Sequence, residues 1–306
     1  MEKGSVLFFL FLGLVIQAQE KPIIQQQEIV RIETELASDK MQGRAIFTMG
    51  IDSASAFIEN EFKKINLSYF KDLKNYRQEF VVKRKPANNI IGILLGKSRP
   101  EEFVIFSAHY DHLGVVKSGE DKVYNGANDD ASGTTAIIAL AKYFKELNQN
   151  ERTIIFVAFT GEEVGGFGSK FFSENIDSNK VVAMFNIEMI GTESKWGKNS
   201  AYITGFEKSD FGETLQKNLK GSNFNFNPDP YPSEQLFYRS DNARLAALGV
   251  PAHTISTSKM DSEPNYHQLS DEVSTLDLDN MTEIVKSIAI SSQTIINGQD
   301  TPTRIK

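Results

Sequence analysis

The chain of 306 residues contains no cysteine, only four histidines and a single tryptophan. Without cysteine it can build no disulfide framework and offers no thiol for a lipid anchor. Its stability must therefore rest on a hydrophobic core, with bound metal ions as a further source. At 306 residues with 40% hydrophobic content, the chain is long enough to form a sizeable core.

Basic residues are also in deficit. The 33 lysines and arginines are outnumbered by 40 aspartates and glutamates, which gives a net charge of -7 and a pI near 5.3. No basic stripe interrupts this acidic balance, so we expect no nucleic-acid partner. A charged fraction of 24% is typical of a globular domain rather than of a disordered or membrane-spanning chain.

The apolar run from Val6 to Ile16 is too short to span a bilayer comfortably. Lys3 precedes it and Ala18 follows it, a pattern typical of a secretory signal. We therefore predict a signal peptide over residues 1–18, export to the periplasm or the medium, and no membrane insertion after cleavage. The alternative is a buried N-terminal strand. Residues 19–306 are expected to form one catalytic domain.

Segments with helical spacing of apolar residues alternate with β-rich apolar runs along this domain. This alternation predicts an α/β fold, with a mixed, largely parallel central sheet sandwiched between helices. We expect helices at 28–43, 50–66, 131–148 and 278–298, and a surface loop at 221–235. The predicted strands fall at 76–84, 88–96, 102–112, 152–160, 180–191, 201–205 and 249–257.

Titratable side chains follow the ends of several predicted strands. His109 and Asp111 close one strand, Glu162 and Glu163 close the next, and Glu188 closes a third. In an open α/β sheet such strand ends meet at one edge, where ligands bind. Further candidates lie in loops before predicted helices: Asp129, Asp130 and His267.

Two imidazoles with several carboxylates form a donor set suited to Zn²⁺, with Mn²⁺ or Co²⁺ as substitutes. The carboxylates outnumber what one catalytic zinc uses, so two ions sharing a bridging carboxylate are expected. A cation would also relieve the repulsion between Glu162 and Glu163, one serving as ligand and the other as general base.

Each candidate also has a purely structural interpretation. His112 and His253 are assigned to structure on this basis. The alternatives are a hydrogen-bonded core histidine for His109, helix caps for Asp129 and Asp130, a turn residue for Asp111 and a packed aromatic for Tyr266.

Five motifs, in this order and spacing, resemble the co-catalytic di-zinc aminopeptidase family, which includes bacterial leucyl-type aminopeptidases and is related to glutamate carboxypeptidase and animal-type glutaminyl cyclase. The segments LASDKMQGR and YRSDNARLAALGVPA and the predicted helix after residue 50 add to the resemblance. The five motifs are SAHYDHLG, NGANDDASG, FVAFTGEEVGGFGS, FNIEMIG and YHQLSDEVSTLD.

The resemblance implies a role for each matching residue. His109 resembles a ligand of one zinc, Asp129 the bridging carboxylate, and Glu163 and His267 the ligands of the other zinc. Three further residues match positions around the ions: Glu162 resembles the general base, Asp111 the carboxylate that orients the ligand histidine, and Tyr266 a phenol that hydrogen-bonds the oxyanion.

Glu188 departs from the family pattern, because most members carry aspartate there as the remaining ligand of the His109 zinc. The extra methylene reaches about 1.5 Å further. A carboxylate is retained, so we still expect two metal ions. The longer side chain bears on metal preference and on recognition of the substrate's free α-amine.

The resemblance implies a zinc exopeptidase, and most directly an aminopeptidase acting on peptides, while the predicted signal peptide indicates that it is secreted. Glutaminyl cyclase and carboxypeptidase or dipeptidase activity are the enzymatic alternatives, and Arg239 is the candidate for a terminal-carboxylate clamp. A non-catalytic peptide- or metal-binding protein is the alternative of another class. The retained Glu162 argues against it, because metal binding alone does not need that carboxylate.

Overall fold

The computed structural model describes residues 22–306. The predicted signal peptide therefore lies outside the described residues. The α-helices of this part are α1 (Gln26–Leu36), α2 (Met49–Ile65), α3 (Ser132–Leu147), α4 (Phe167–Glu174), α5 (Phe211–Asn218), α6 (Asn242–Ala246), α7 (Leu278–Ser291) and α8 (Gln293–Ile296). None of them combines the length and the apolar character that crossing a membrane requires.

The described strands form one large twisted sheet and one small hairpin. The small sheet pairs β5 with β6. The strands are β1 (Ser68–Tyr69), β2 (Arg77–Val82), β3 (Lys85–Leu94), β4 (Arg99–His109), β5 (Gly114–Val115), β6 (Val123–Tyr124), β7 (Arg152–Phe159), β8 (Val181–Ile187), β9 (Ser200–Ile203), β10 (Asn225–Pro228) and β11 (Ala252–Ser256).

The large sheet runs in the order β1-β3-β7-β4-β8-β11-β9-β10, with β2 also paired to β3. Its four central strands, β7, β4, β8 and β11, are mutually parallel, whereas β3 and β9 join them antiparallel. The mixed, largely parallel sheet predicted from the sequence is therefore confirmed. Parallel strands end at the same edge, so the segments that follow β4, β7 and β8 are brought together.

Helices cover both faces of this sheet. All eight residues of β7 are buried, as a strand covered on both faces requires. On one face α3 packs against β4, β7 and β8, and α1, α2 and α7 pack against α3. On the other face α6 packs on β8 and β11. The two hydrophobic clusters that result hold the central strands in a fixed position.

Three predicted elements differ from the structure. The helix predicted over residues 278–298 is divided at Ser292 into α7 and α8. The first helix ends at Leu36 rather than near Gly43, and residues 39–44 form a tighter turn of 3-10 helix. Arg44 has a positive φ of 51° at its end, which turns its side chain into the protein. The predicted surface loop at 221–235 contains the edge strand β10, because Phe226 packs into the core.

Candidate metal centre

Three strand ends bring the candidate residues to one site. His109 is the last residue of β4, Glu188 is the first residue after β8, and Glu162 and Glu163 follow β7 by a few residues. His109 pairs with Phe159 at the end of the neighbouring parallel strand β7, and Glu162 lies in the loop that follows Phe159. The sheet therefore places at one edge the residues that the sequence separates by up to 79 positions.

The adjacent carboxylates of Asp129 and Asp130 have separate tasks. Asp130 accepts hydrogen bonds from the backbone N–H groups of Gly133 at 3.0 Å, Met189 at 3.0 Å and His109 at 3.3 Å. It thereby ties the start of α3 to the ends of β4 and β8. The capping interpretation thus describes Asp130, whereas the side chain of Asp129 points into the site.

Asp129 lies between two histidines. His109 Nε2 is 3.3 Å from one carboxylate oxygen of Asp129, and His267 Nε2 is 3.2 Å from the other. His267 Nε2 is also 3.1 Å from Glu163 Oε2. A buried carboxylate with one imidazole on each oxygen has the arrangement expected of a residue shared by two cations.

Asp111 supports the site differently from the expectation. Its backbone carbonyl oxygen, not its carboxylate, lies 3.1 Å from His109 Nδ1, while the carboxylate oxygen Oδ1 is 3.9 Å away. The carboxylate instead accepts the backbone N–H groups of Glu162 at 3.1 Å and Glu163 at 3.4 Å. Asp111 therefore orients the histidine through its main chain and the two glutamates through its side chain.

His112, which the sequence analysis assigns to structure, contacts the site directly. Its Nδ1 lies 2.8 Å from Glu163 Oε1 and 3.9 Å from Asp129 Oδ2. Together these three residues place donor atoms close enough to hold one metal ion. The sequence feature that could have identified His112 was its place in the motif SAHYDHLG, three residues after His109. His253, by contrast, is buried on β11 away from the site, and burial lowers its pKa to about 4.

Glu162 and Glu188 share a strongly desolvated environment. Burial raises the pKa of Glu162 well above its usual range and that of Glu188 to about 7; His109 opposes the rise, and neighbouring carboxylates add to it. Ser240 donates a hydrogen bond to Glu188. A general base benefits from a pKa raised towards the operating pH, because a carboxylate with a higher pKa accepts a proton more readily.

The donor set fits a metal ion on two observations. Nε2 of His109 is buried and makes no hydrogen bond within residues 22–306, although Asp129 Oδ1 lies 3.3 Å from it, while His109 Nδ1 is engaged by a carbonyl. Hydrogen bonds to Asp129 and Glu163 raise the pKa of His267 to about 10, which shows how strongly these carboxylates attract a positive charge. Imidazole and carboxylate donors together suit zinc.

A cleft, here called the first cleft, opens onto these residues. Tyr266 lies on its wall with its ring stacked on that of His267, with ring centroids 3.9 Å apart. Burial raises the pKa of Tyr266 to about 12, so its phenol stays protonated at neutral pH. Tyr202, Leu236 and Met260 supply larger side chains to the wall.

Arg44 braces the site from outside the cleft. Its buried guanidinium donates to the carbonyl oxygens of Tyr110 at 2.9 Å, Asn125 at 2.5 Å and Gly126 at 2.8 Å, and to that of Leu36 at 2.8 Å. These bonds join the loop after His109 to the loop before Asp129. Arg44 is the last residue of LASDKMQGR, a segment that contributes to the family resemblance, although the resemblance implied no role for Arg44.

A family model described as Peptidase family M28 matches residues 89–291. This range contains the five motifs of the resemblance and leaves out LASDKMQGR. The resemblance predicted from the sequence is thereby confirmed.

Similar curated proteins have related descriptions. A probable leucine aminopeptidase of Trichophyton verrucosum is 28% identical over 250 residues, which cover 78% of this chain and 64% of the relative. Aminopeptidase Y of Saccharomyces cerevisiae is 28% identical over 64% of this chain and 36% of its own length. A probable zinc metalloprotease of Pyrenophora teres f. teres is 29% identical over 48% and 32%. The chain thus spans 32% to 64% of the length of these relatives.

Solved structures share the fold at low identity. A zinc aminopeptidase from Bacillus subtilis aligns with a TM-score of 0.73 and 14% identity, covering 92% of this chain and 98% of that one. A glutaminyl cyclase from Bacteroides thetaiotaomicron aligns with a TM-score of 0.67 and 16% identity, covering 92% and 100%. These likenesses establish the fold, which the zinc aminopeptidase and the glutaminyl cyclase have in common.

Proposed function

Because the chain belongs to peptidase family M28, we propose that it is a zinc-dependent exopeptidase, and specifically an aminopeptidase that releases N-terminal residues from peptides. The observation that carries this proposal is the shared position of Asp129 between His109 and His267, beside the separate carboxylate of Glu162. The names of the aminopeptidase and zinc metalloprotease relatives support it.

Two zinc ions would be held by this donor set, with Asp129 shared between them. His109 and Glu188 would complete one site, and Glu163 and His267 the other. When bound, zinc polarises a carbonyl oxygen and lowers the pKa of water, and Mn²⁺ or Co²⁺ would serve as substitutes. His112 contacts the second set through Glu163, so it would fix the orientation of that carboxylate.

The proton transfers are assigned to Glu162. Its carboxylate takes a proton from the attacking water and gives it to the departing amine as the peptide bond breaks. Its raised pKa suits both halves of that exchange. Asp111, by accepting the N–H groups of both glutamates, keeps the base and the neighbouring ligand apart.

Two other side chains face the reacting groups in the first cleft. The phenol of Tyr266, protonated at neutral pH, is assigned to donate a hydrogen bond to the carbonyl oxygen as negative charge develops on it. Glu188 supplies a carboxylate near which the free α-amine of a peptide can bind. Recognition of that amine would distinguish an aminopeptidase from an endopeptidase.

Product analysis tests the activity. Zinc-loaded protein is incubated with peptides that carry a free, an acetylated or a glutamine N terminus, and the products are identified by mass spectrometry. Loss of the first residue from free N termini alone is expected. Loss of ammonia from the glutamine peptide would instead identify a glutaminyl cyclase, and loss of the last residue a carboxypeptidase. No change in any peptide would favour a non-catalytic binding protein.

A single substitution tests the assignment of the base. Glu162→Gln should remove nearly all turnover, by about 10³-fold or more, while two zinc ions per chain are retained, because glutamine cannot accept the proton. Loss of a zinc ion in this variant would show that Glu162 is a ligand and not the base. Glu79→Gln, an exposed position on β2, is the matched control.

We further propose that residues 1–18 direct export and that residues 19–306 form one catalytic domain acting on peptides in the periplasm or medium. The support is the pattern of Lys3, the apolar run and Ala18. N-terminal sequencing of the protein recovered from each cell fraction tests it. A mature chain that begins at Met1 would contradict it.

A further inference from the structure

A second cleft lies beside the first one. Glu162, Arg239 and Ser240 line both clefts. None of the five residues proposed to hold zinc lines the second cleft. Glu162 therefore lies at the boundary, with the metal centre on one side of it and the second cleft on the other.

The position of Glu162 determines which part of a peptide would enter the second cleft. This step rests on the proposed function, in which the N-terminal residue lies against the metal centre and Glu162 protonates the departing amine. The departing amine belongs to the second residue of the peptide. The second residue and those after it would therefore extend past Glu162, away from the metal ligands.

Two arginines, Arg239 and Arg244, line the second cleft, into which the rest of the peptide would extend. Arg244 Nη2 donates to the carbonyl oxygen of Gly165 at 3.2 Å, and Gly165 N–H donates to the carbonyl oxygen of Glu162 at 3.0 Å. Arg244 is thus attached to the loop that carries the base. Arg239 lines both clefts, and its pair with Glu234 at 3.2 Å is exposed on both sides, a kind of contact that is weak and easily exchanged.

Apart from Glu162 at its boundary, the accessible charge of the second cleft is positive. Arg239 and Arg244 are exposed, whereas Asp241 is 2% exposed. Lys208 Nζ lies 5.7 Å from the ring centre of Tyr238, which lines the cleft and is 65% exposed, and adds a cation near the rim. Within the described part of the chain, each arginine uses one guanidinium nitrogen for the bonds above, so most of its N–H donors face solvent.

We propose that the second cleft is a subsite for the part of the peptide after the scissile bond, and that Arg239 and Arg244 bind a carboxylate there. A planar guanidinium with several N–H donors matches the geometry of a carboxylate. That carboxylate is either the C-terminal group of a dipeptide or tripeptide, or an acidic side chain just after the cleaved bond. The two arginines would therefore favour short or acidic peptides.

Two substrate pairs test the subsite and separate the two sources of carboxylate. Leucyl-alanine is compared with leucyl-alanine amide, and leucyl-aspartate amide with leucyl-asparagine amide, using zinc-loaded enzyme at low salt. We expect kcat/KM to be about tenfold higher for the charged member of at least one pair, mainly through a lower KM. The first pair reports the C-terminal carboxylate, and the second reports the side chain.

Variants assign the preference to the arginines. In the double variant Arg239→Met and Arg244→Met the ratio within the preferred pair should fall to about one. Arg99→Met, an exposed arginine at the opposite end of β4 from His109, is the matched control and should keep the ratio. Thermal unfolding checks that each variant is folded.

The outcomes separate the two proposals. Ratios near one in the wild-type enzyme, or a preference that the double variant keeps, would overturn the subsite while leaving the exopeptidase proposal intact. Failure to cleave any of the four peptides, or any longer one, would overturn both. A preference that is lost in the double variant and also falls with added salt supports the subsite.

Discussion

Replacing Arg44 by methionine removes the buried guanidinium that joins the two loops of the candidate metal centre. In the native chain this group donates to four carbonyl oxygens, and Asn125 in turn donates to the carbonyl oxygen of Ala37 at 2.8 Å. Methionine has a similar apolar stem but no donor. The buried carbonyl groups would therefore lose their partner without being returned to water.

The expected loss of stability is the balance between the hydrogen bonds that are lost and the buried charge that is removed. A hydrogen bond to a charged donor contributes about 1.5 to 3 kcal/mol, and four of them are lost. Removing the charge also removes the free-energy cost of burying it. This cost is visible in the pKa of Arg44, which burial lowers. We expect a net loss of about 3 to 5 kcal/mol in the free energy of unfolding, as for the breaking of other buried ionic contacts.

Zinc binding should weaken as well, because the carbonyls of Tyr110 and Gly126 belong to the loops that place His109 and Asp129. Loss of supporting contacts of this kind lowers metal affinity by about 10- to 100-fold. The assay combines urea unfolding of the metal-free protein with zinc competition against a chelator. Arg44→Lys, which keeps the charge but not the planar fork, should fall between methionine and wild type.

Arg84→Met is the matched control, since Arg84 is exposed in the turn between β2 and β3. The reasoning is refuted if Arg44→Met changes the free energy of unfolding by less than about 1 kcal/mol. It is refuted in its second part if stability falls as expected and zinc affinity matches that of the control. In that case the arginine would stabilise the fold without positioning the ligands.

Three further predictions concern buried polar groups. Burial raises the pKa of Glu33 to about 8, so the free energy of unfolding should fall by a few kcal/mol as pH rises from about 4.5 to 8. Glu33→Gln should flatten that part of the pH profile, measured by urea unfolding. An unchanged profile would contradict the prediction. His112→Phe should weaken zinc binding by about 10- to 100-fold through Glu163, measured by calorimetry, and unaltered affinity would show that the contact is incidental. Glu188→Ala should reduce bound zinc from two ions per chain to one by atomic absorption, whereas two retained ions would remove Glu188 from the ligand set.

The division of work between Asp129 and Asp130 was not readable from residue type, and only the family resemblance assigned the bridging position to Asp129. Asp129 and Asp130 have the same side chain, and either can cap a helix or ligate a metal ion. The structure separates them, because only Asp130 lies within reach of the backbone N–H groups of Gly133 and Met189. Asp111 was likewise assigned to the histidine by resemblance, although its carboxylate lies nearer to the two glutamate N–H groups.

The sequence by itself determined the class of fold and the edge at which the site lies. Continuous apolar runs require strands covered on both faces, and helical spacing between them requires crossover helices, so the strands are largely parallel and end together. The titratable residues that follow His109, Phe159 and Ile187 then have to meet. This inference needs only the order of the elements and the position of polar residues at their ends.

Only the tertiary structure decided which side chains touch. It placed His112 against Glu163, turned Arg44 inward to carbonyls from two loops, and set Arg239 and Arg244 beside a second cleft. These contacts join residues from 51 to 82 positions apart, or depend on which way a turn points. Local propensity contains no information on such distances, because they are set by the packing of the sheet and its helices as a whole.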